Sequence, residues 1–345
     1  MKHFRVYSSP HFGRGGARAS GFTLLELLTA IAITAVLVGF SVAIVSNVSG
    51  LWRRASGRGA TEAQARHILD RLELDLSGAL VRDDGRTWLA ATTLRTTTCS
   101  GLWDSADQAG ERAKPESAGG QFSYDVTAAN LADTRGGVAG VWLRFFTTAR
   151  GANDEARPWS VSAPVAVGYQ IIRRTLASGT GEGASRRYLL HRAQVRPAAS
   201  ADGPGVFGTG YDLSAYDHLR TPSRDEVIGD NVIDFGVRFY VREISSDGRT
   251  GLRAIFPANA LGALDGDDLE HAGGSDLSGE RMPEVVDVMV RILSEEGGSV
   301  LAGYEATSPR IFAPAGVSAA QHWWNLAVAN SRVYTRRIVV RAAGP

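Results

Sequence analysis

"SGFTLLELLTAIAITAVLVGF", residues 20–40, is the stretch on which the fold turns. Gly21 and Phe22 open it, Glu26 is its one ionisable side chain, and an apolar run follows. From Leu27 to Val45 nothing is charged, and the polar residues are Thr29, Thr34 and Ser41. At about 1.5 Å per helical residue that run spans roughly 28 Å, close to the thickness of bilayer hydrocarbon. A membrane-crossing helix is therefore predicted. A carboxylate inside such a helix is costly and requires a partner, so Glu26 needs a chemical reason.

The flanks support this. Residues 1–21 carry Lys2, Arg5, Arg14 and Arg18 with no acid, and removing them takes the formal net charge from +1 to −3. A basic leader before an apolar run reads as a targeting segment that keeps the N-terminus in the cytoplasm. Arg53, Arg54 and Arg58 beyond the run weaken that asymmetry. A cleaved secretory signal is a poorer reading, because "VSNVSG" makes a weak cleavage site and the run is long. A plain anchor explains the length and leaves Glu26 unexplained.

"G-F-T-L-L-E" resembles the processing motif of type IV prepilins and pseudopilins. The resemblance implies that a membrane peptidase/methyltransferase cuts after Gly21 and methylates the new amino terminus at Phe22. Glu26 then stands at the fifth mature position. Cleavage would free an α-amino group with a pKa near 8, mostly protonated at neutral pH. In apolar surroundings that cation needs a counter-charge, and Glu26 of a neighbouring subunit would supply it. Two unit charges about 4 Å apart attract by about 4 kcal/mol at an effective dielectric of about 20. Joining a filament is then favoured over remaining alone in lipid.

After the run, no proline occurs between Pro10 and Pro115, which permits one long helix. "TEAQARHILDRLELDLSGAL" sets Ile68, Leu69, Leu72, Leu76, Ala79 and Leu80 on one stripe, with Arg66, Asp70, Arg71 and Glu73 facing out. Gly57 and Gly59 are candidates for a kink or hinge. Beyond residue 81 the pattern becomes β. Ile233, Phe235, Val237, Phe239 and Val241 alternate with Asp234, Gly236, Arg238 and Tyr240, and Val286, Val288, Val290 and Ile292 share a face. "VWLRFF", "VAVGYQII", "RYLLHRAQV" and "RRIVVR" are further strands, with "SSDGRTG" and "SEEGG" read as turns. The stretches 100–120, 196–225 and 257–283 read as long surface loops. The expected class is α+β: a long N-terminal helix packed on a mostly antiparallel β domain. The expected division is leader 1–21, membrane and filament-core helix 22–48, amphipathic helix 49–81, and β-rich globular domain 82–345.

Within the family, "LDRLELDLSGAL", "VAVGYQIIRRTL", "YLLHRAQV", "MPEVVDVMVRIL" and "YTRRIVVR" resemble, in order, the helix and strands of J-type minor pseudopilins of type II secretion. "SGLWRRASGRGATEAQARHILDRL" is also similar to the pseudopilin-like Verru_Chthon cassette protein C. These resemblances imply a non-enzymatic subunit at or near the tip of a secretion filament. Its partners would be the prepilin peptidase/methyltransferase, other minor and major pseudopilins and the inner membrane, with the C-terminal domain in the periplasm. Two alternatives stand: a minor type IV pilin for adhesion, motility or DNA uptake, and a membrane-anchored periplasmic binding or hydrolytic domain.

Other chemistry has little support. The near-neutral charge gives no reason to expect nucleic acid, and no small-molecule substrate is expected. The single cysteine, Cys99, cannot form an intramolecular disulfide. His3, His11, His67, His191, His218, His271 and His322 make no zinc signature, and no nucleophile elbow or phosphate loop occurs. Asp265, Asp267, Asp268 and Glu270 gather oxygen ligands without EF-hand spacing, so no cofactor is expected and calcium is the weak alternative. Trp323 and Trp324, if on a strand, would point to opposite sides, with one buried and one partly covered. "LVRDDGRTW" reads as solvated surface.

Overall fold

The computed structural model describes residues 23–81, 87–93, 140–148, 165–174, 187–195, 219, 222–223, 225–244, 246, 248–257, 270–274, 281–306, 314–317 and 319–340. The chain divides into two compact units, Met1–Ser56 and Gly57–Pro345. Helix α1 (Leu24–Ser77) passes through the division without interruption, Gly57 and Gly59 included. In the first unit the apolar stretch Leu24–Gly50 is exposed as far as Ser49, and it is long and apolar enough to cross a membrane. Its hydroxyls cap their own helix: Thr29 Oγ1 donates to Glu26 O at 3.0 Å, Thr34 to Ala30 O and Ser41 to Leu37 O, both at 2.8 Å. The three hydroxyls of the run from Leu27 to Val45 are thus satisfied by the helix itself, which suits a helix in hydrocarbon.

The second unit is built from two antiparallel sheets. The larger orders β5 (Val227–Gly229), β4 (Arg187–Val195), β3 (Val165–Arg174), β2 (Val141–Thr147), β1 (Thr87–Thr93) and β8 (Glu270–Gly274). The smaller orders β10 (Ser331–Val339), β9 (Val285–Leu293), β6 (Val232–Ile244) and β7 (Thr250–Phe256). This is the expected α+β arrangement. Alternation is as predicted in β6, where Phe235, Val237 and Phe239 are buried and Gly236, Arg238 and Tyr240 are partly exposed; Asp234 departs from it and is buried. The sheets meet through Tyr169 and Phe235, with ring centroids 6.4 Å apart. Gly140 lets them close up: it leads into β2 at φ 76°, and a Cβ there would lie 2.7 Å from the Phe235 carbonyl oxygen. The chain passes from β5 to β6 through Asn231 at φ 56°, a left-handed position that asparagine tolerates.

The last turns of α1 contribute Ala65, Ile68, Leu69, Leu72 and Leu76 to the core between the sheets, with Ala79 just beyond the helix. The predicted stripe is therefore the buried one, although Leu80 is only partly covered and the Arg71 side chain, expected outward, is 16% exposed. The helix stops at Ser77, and Leu80 N then donates to Phe146 O at 2.9 Å, tying the exit to β2.

Several sequence expectations are overturned. "SEEGG" is the start of helix α2 (Glu295–Ala306), not a turn: Ser294 Oγ accepts from Gly297 N at 3.0 Å as an N-cap, and two acids fill the first turn. Trp323 and Trp324 lie on helix α3 (Ala319–Ala329) and are both 1% exposed. Consecutive helical residues point about a quarter-turn or more apart, so each ring reaches a different neighbour. Trp323 Nε1 donates to Glu305, and Trp324 receives the Arg291 guanidinium 5.2 Å from its centroid. Trp88, placed in a solvated segment by its charged neighbours, is buried in β1 with its ring 5.1 Å from Phe146. Strand β8 lies inside the expected loop 257–283 and pairs with β1. In the expected loop 196–225, Leu219 is buried over side-chain-free Gly168 and its carbonyl accepts from Gln170 Nε2 at 2.7 Å. Residues 100–120, Cys99 and Asp265, Asp267 and Asp268 lie outside the described residues. Glu270 begins β8.

Candidate functional site

Two places on α1 concentrate chemistry. The first is its N-terminus. Thr23 precedes the helix, and its Oγ1 accepts from Glu26 N at 3.2 Å. In return Glu26 Oε2 lies 3.4 Å from both Thr23 N and Thr23 Oγ1. This reciprocal Thr-x-x-Glu arrangement is a capping box, satisfying amides that a helix end otherwise leaves bare. The partial positive charge of the helix start also favours a carboxylate in this turn. Glu26 is exposed, and its contacts with Thr23 are long, so its second oxygen remains open to an incoming cation. Gly21 and Phe22, the expected cut and methylation positions, lie outside the described residues.

The second place is the seat of the helix in the second unit. Asp75 sits on the buried stripe with a side chain 0% exposed. Its carboxylate receives Arg192 Nε at 2.5 Å and Arg192 NH2 at 3.1 Å, accepts the Tyr169 hydroxyl, and has Arg71 at 3.5 Å. Arg192 also bonds Gln194 Oε1 at 2.8 Å, while Thr147 Oγ1 donates to Asp75 O at 2.8 Å. Helix α1 is thus joined to β2, β3 and β4 through one residue. Burial, with the Asp75 charge adding to it, raises the Tyr169 pKa well above its usual value. The phenol therefore stays a donor at neutral pH. Towards the smaller sheet, Arg336 reaches Asp70 at 2.5 Å and Glu73 at 2.8 Å, and Gln64 Nε2 donates to Asp230 O at 2.6 Å.

A parallel cluster holds the two short helices. Glu305 of α2 receives Arg173 at 2.8 Å, the Tyr188 hydroxyl at 2.8 Å and Trp323 Nε1 at 2.9 Å. Burial first, then the Glu305 charge, raises the Tyr188 pKa. In both clusters a buried carboxylate is paired with an arginine and accepts a tyrosine hydroxyl. Among the described residues no three His, Cys, Asp or Glu side chains form a metal-holding group.

Sequence reading picked out Glu26 and missed Asp75, Arg192 and Glu305. Asp75 was detectable: it falls three residues after Leu72 and one before Leu76, on the apolar stripe, where a carboxylate demands a buried cation.

Residues 16–42 match the family model of the prokaryotic N-terminal methylation motif, a span that contains Gly21, Phe22 and Glu26. No curated protein and no solved structure matches the chain.

Proposed function

We propose that this type IV prepilin-like chain is a non-enzymatic minor pseudopilin-like subunit of a type II secretion-type filament. In this reading it spans the inner membrane once, its N-terminus is cytoplasmic, and its second unit lies in the periplasm. A prepilin peptidase cuts between Gly21 and Phe22 and Phe22 is N-methylated. The processed subunit then assembles with other pseudopilins, at or near the filament tip. The observation that carries this reading is the methylation motif joined to an uninterrupted apolar helix that ends in the core of a β-rich unit.

Mass spectrometry of the N-terminus of the membrane-extracted chain tests the reading. Methyl-Phe22 is expected as the first residue, and an intact leader or a terminus beyond Val45 would sink it. Gly21→Ala should leave the precursor uncut when the peptidase is co-expressed. For Glu26, the capping box makes the choice of variant matter. Glu26→Gln keeps a side-chain acceptor for Thr23 and removes only the charge. It should be cleaved normally yet enter filaments poorly. Full incorporation of Glu26→Gln alongside failure of Glu26→Ala would assign the residue to capping and not to charge pairing.

A further inference from the structure

We propose that the helical turn after the apolar run, carrying Trp52, Arg53 and Arg54, is a binding site for anionic phospholipid headgroups. The inference rests on the membrane-spanning reading of Leu24–Gly50 and adds to it a lipid preference. Three observations converge. First, α1 does not end where the apolar stretch ends at Gly50; it continues as helix through Trp52, Arg53 and Arg54. The two arginine backbones are therefore held about 5–6 Å beyond the end of the apolar stretch, a position set by the helix rise. Second, Trp52 is 76% exposed although it is the largest side chain in the first unit. An amphipathic indole left bare next to an exposed apolar span matches the interfacial belt of membrane helices. Third, the charge there is of one sign. No Asp or Glu occurs from Leu27 to Thr61, whereas Arg53, Arg54 and Arg58 do.

The chemistry of these groups selects the ligand. Guanidinium groups present planar forks of N–H donors that match phosphate oxygens two at a time. Basic residues beside a membrane span attract anionic headgroups over about a Debye length, roughly 8 Å at physiological salt. Zwitterionic headgroups carry the same phosphate with its charge internally balanced, so the long-range attraction is lost. The site is thus expected to collect phosphatidylglycerol-type lipid in preference to neutral lipid in the leaflet it meets. An acidic segment of a neighbouring protein is the competing occupant, and the test separates the two.

The full chain is reconstituted into vesicles of phosphatidylcholine and phosphatidylglycerol in equal parts, with bromine on the tails of one lipid or of the other. The Trp52 contribution to the fluorescence is isolated by subtracting the Trp52→Phe variant. Brominated phosphatidylglycerol is expected to quench Trp52 several-fold more than brominated phosphatidylcholine. That preference should fall to parity in the Arg53→Gln/Arg54→Gln double variant and fade with added salt. Equal quenching by the two lipids in the unaltered chain overturns the lipid site and leaves the span intact. No quenching by either puts Trp52 out of reach of the tails and overturns the lipid site, whereas release of the chain from the vesicles by alkaline carbonate would overturn the spanning reading. Lipid parity combined with poor filament incorporation of Arg53→Gln/Arg54→Gln overturns the proposal in favour of a protein partner.

Discussion

Replacing Asp75 by alanine removes the anion at the seat of α1 and leaves Arg192 without its carboxylate. The size of the effect follows from burial. The Asp75 side chain is 0% exposed and that of Arg192 8%, so this is an interior pair, not a surface one. Removing one partner of a buried pair costs about 3–5 kcal/mol, whereas an exposed pair contributes less than about 1 kcal/mol. Arg71, with its side chain 16% exposed and 3.5 Å from the carboxylate, can turn to solvent and softens the loss little. For a unit of this size about 2 °C of melting temperature corresponds to each kcal/mol, so Asp75→Ala should lower Tm by about 6–10 °C. Thermal unfolding of the full chain in detergent, followed by near-ultraviolet circular dichroism, reads this directly. The double variant Asp75→Ala/Arg192→Met should regain most of the loss, because it no longer buries a lone guanidinium. A single-variant loss below about 1 kcal/mol, or a double variant no better than the single, refutes the reasoning.

Two glycines of α2 should respond in opposite directions. A Cβ on Gly297 would lie 2.6 Å from Asn330 Cβ and 2.8 Å from its carbonyl oxygen, so Gly297→Ala should destabilise by about 1–3 kcal/mol in a urea titration. Gly303 has open space, and Gly303→Ala should stabilise by up to about 1 kcal/mol; the same sign for both would discredit the packing argument. Burial, reinforced by the Arg174 charge, pushes the His191 pKa from 6.5 to about 3. The folded imidazole then stays neutral where the unfolded one takes a proton. Its contribution to stability is complete above pH 6.5 and is lost as the pH falls toward 3. Stability measured between about pH 7 and pH 4 should accordingly fall more steeply in the native chain than in His191→Gln, and equal slopes would count against it.

How much was readable in advance depended on whether the signal was local. The membrane run, the stripe from Ile68 to Ala79 and the alternation of β6 are local periodicities, and each appears where the residues put it. Short helices α2 and α3 were invisible because their stripes are brief. Two adjacent tryptophans carry no period, and Gly297 and Gly298 look like a turn until Asn330 and Asn231 are seen packed against them. Strand β8, "EHAGG", has almost no strand-forming residues and is held by its pairing with β1. Of the candidate site, Glu26 stood out because a charge beside an apolar run is conspicuous. Its capping bond to Thr23 needed only the Thr-x-x-Glu spacing. Arg192 and Glu305 had no such signal, since their partners lie 117 residues away at Asp75 for one and 132 residues away at Arg173 for the other.

Within the second unit, the final turns of α1 are packed in the core and tethered there by a buried salt link. Pulling those turns out of the core would expose the apolar stripe and part the Asp75 and Arg192 charges in the same step. Slippage by one turn would drag the Asp75 carboxylate out of reach of its cation and into hydrocarbon side chains.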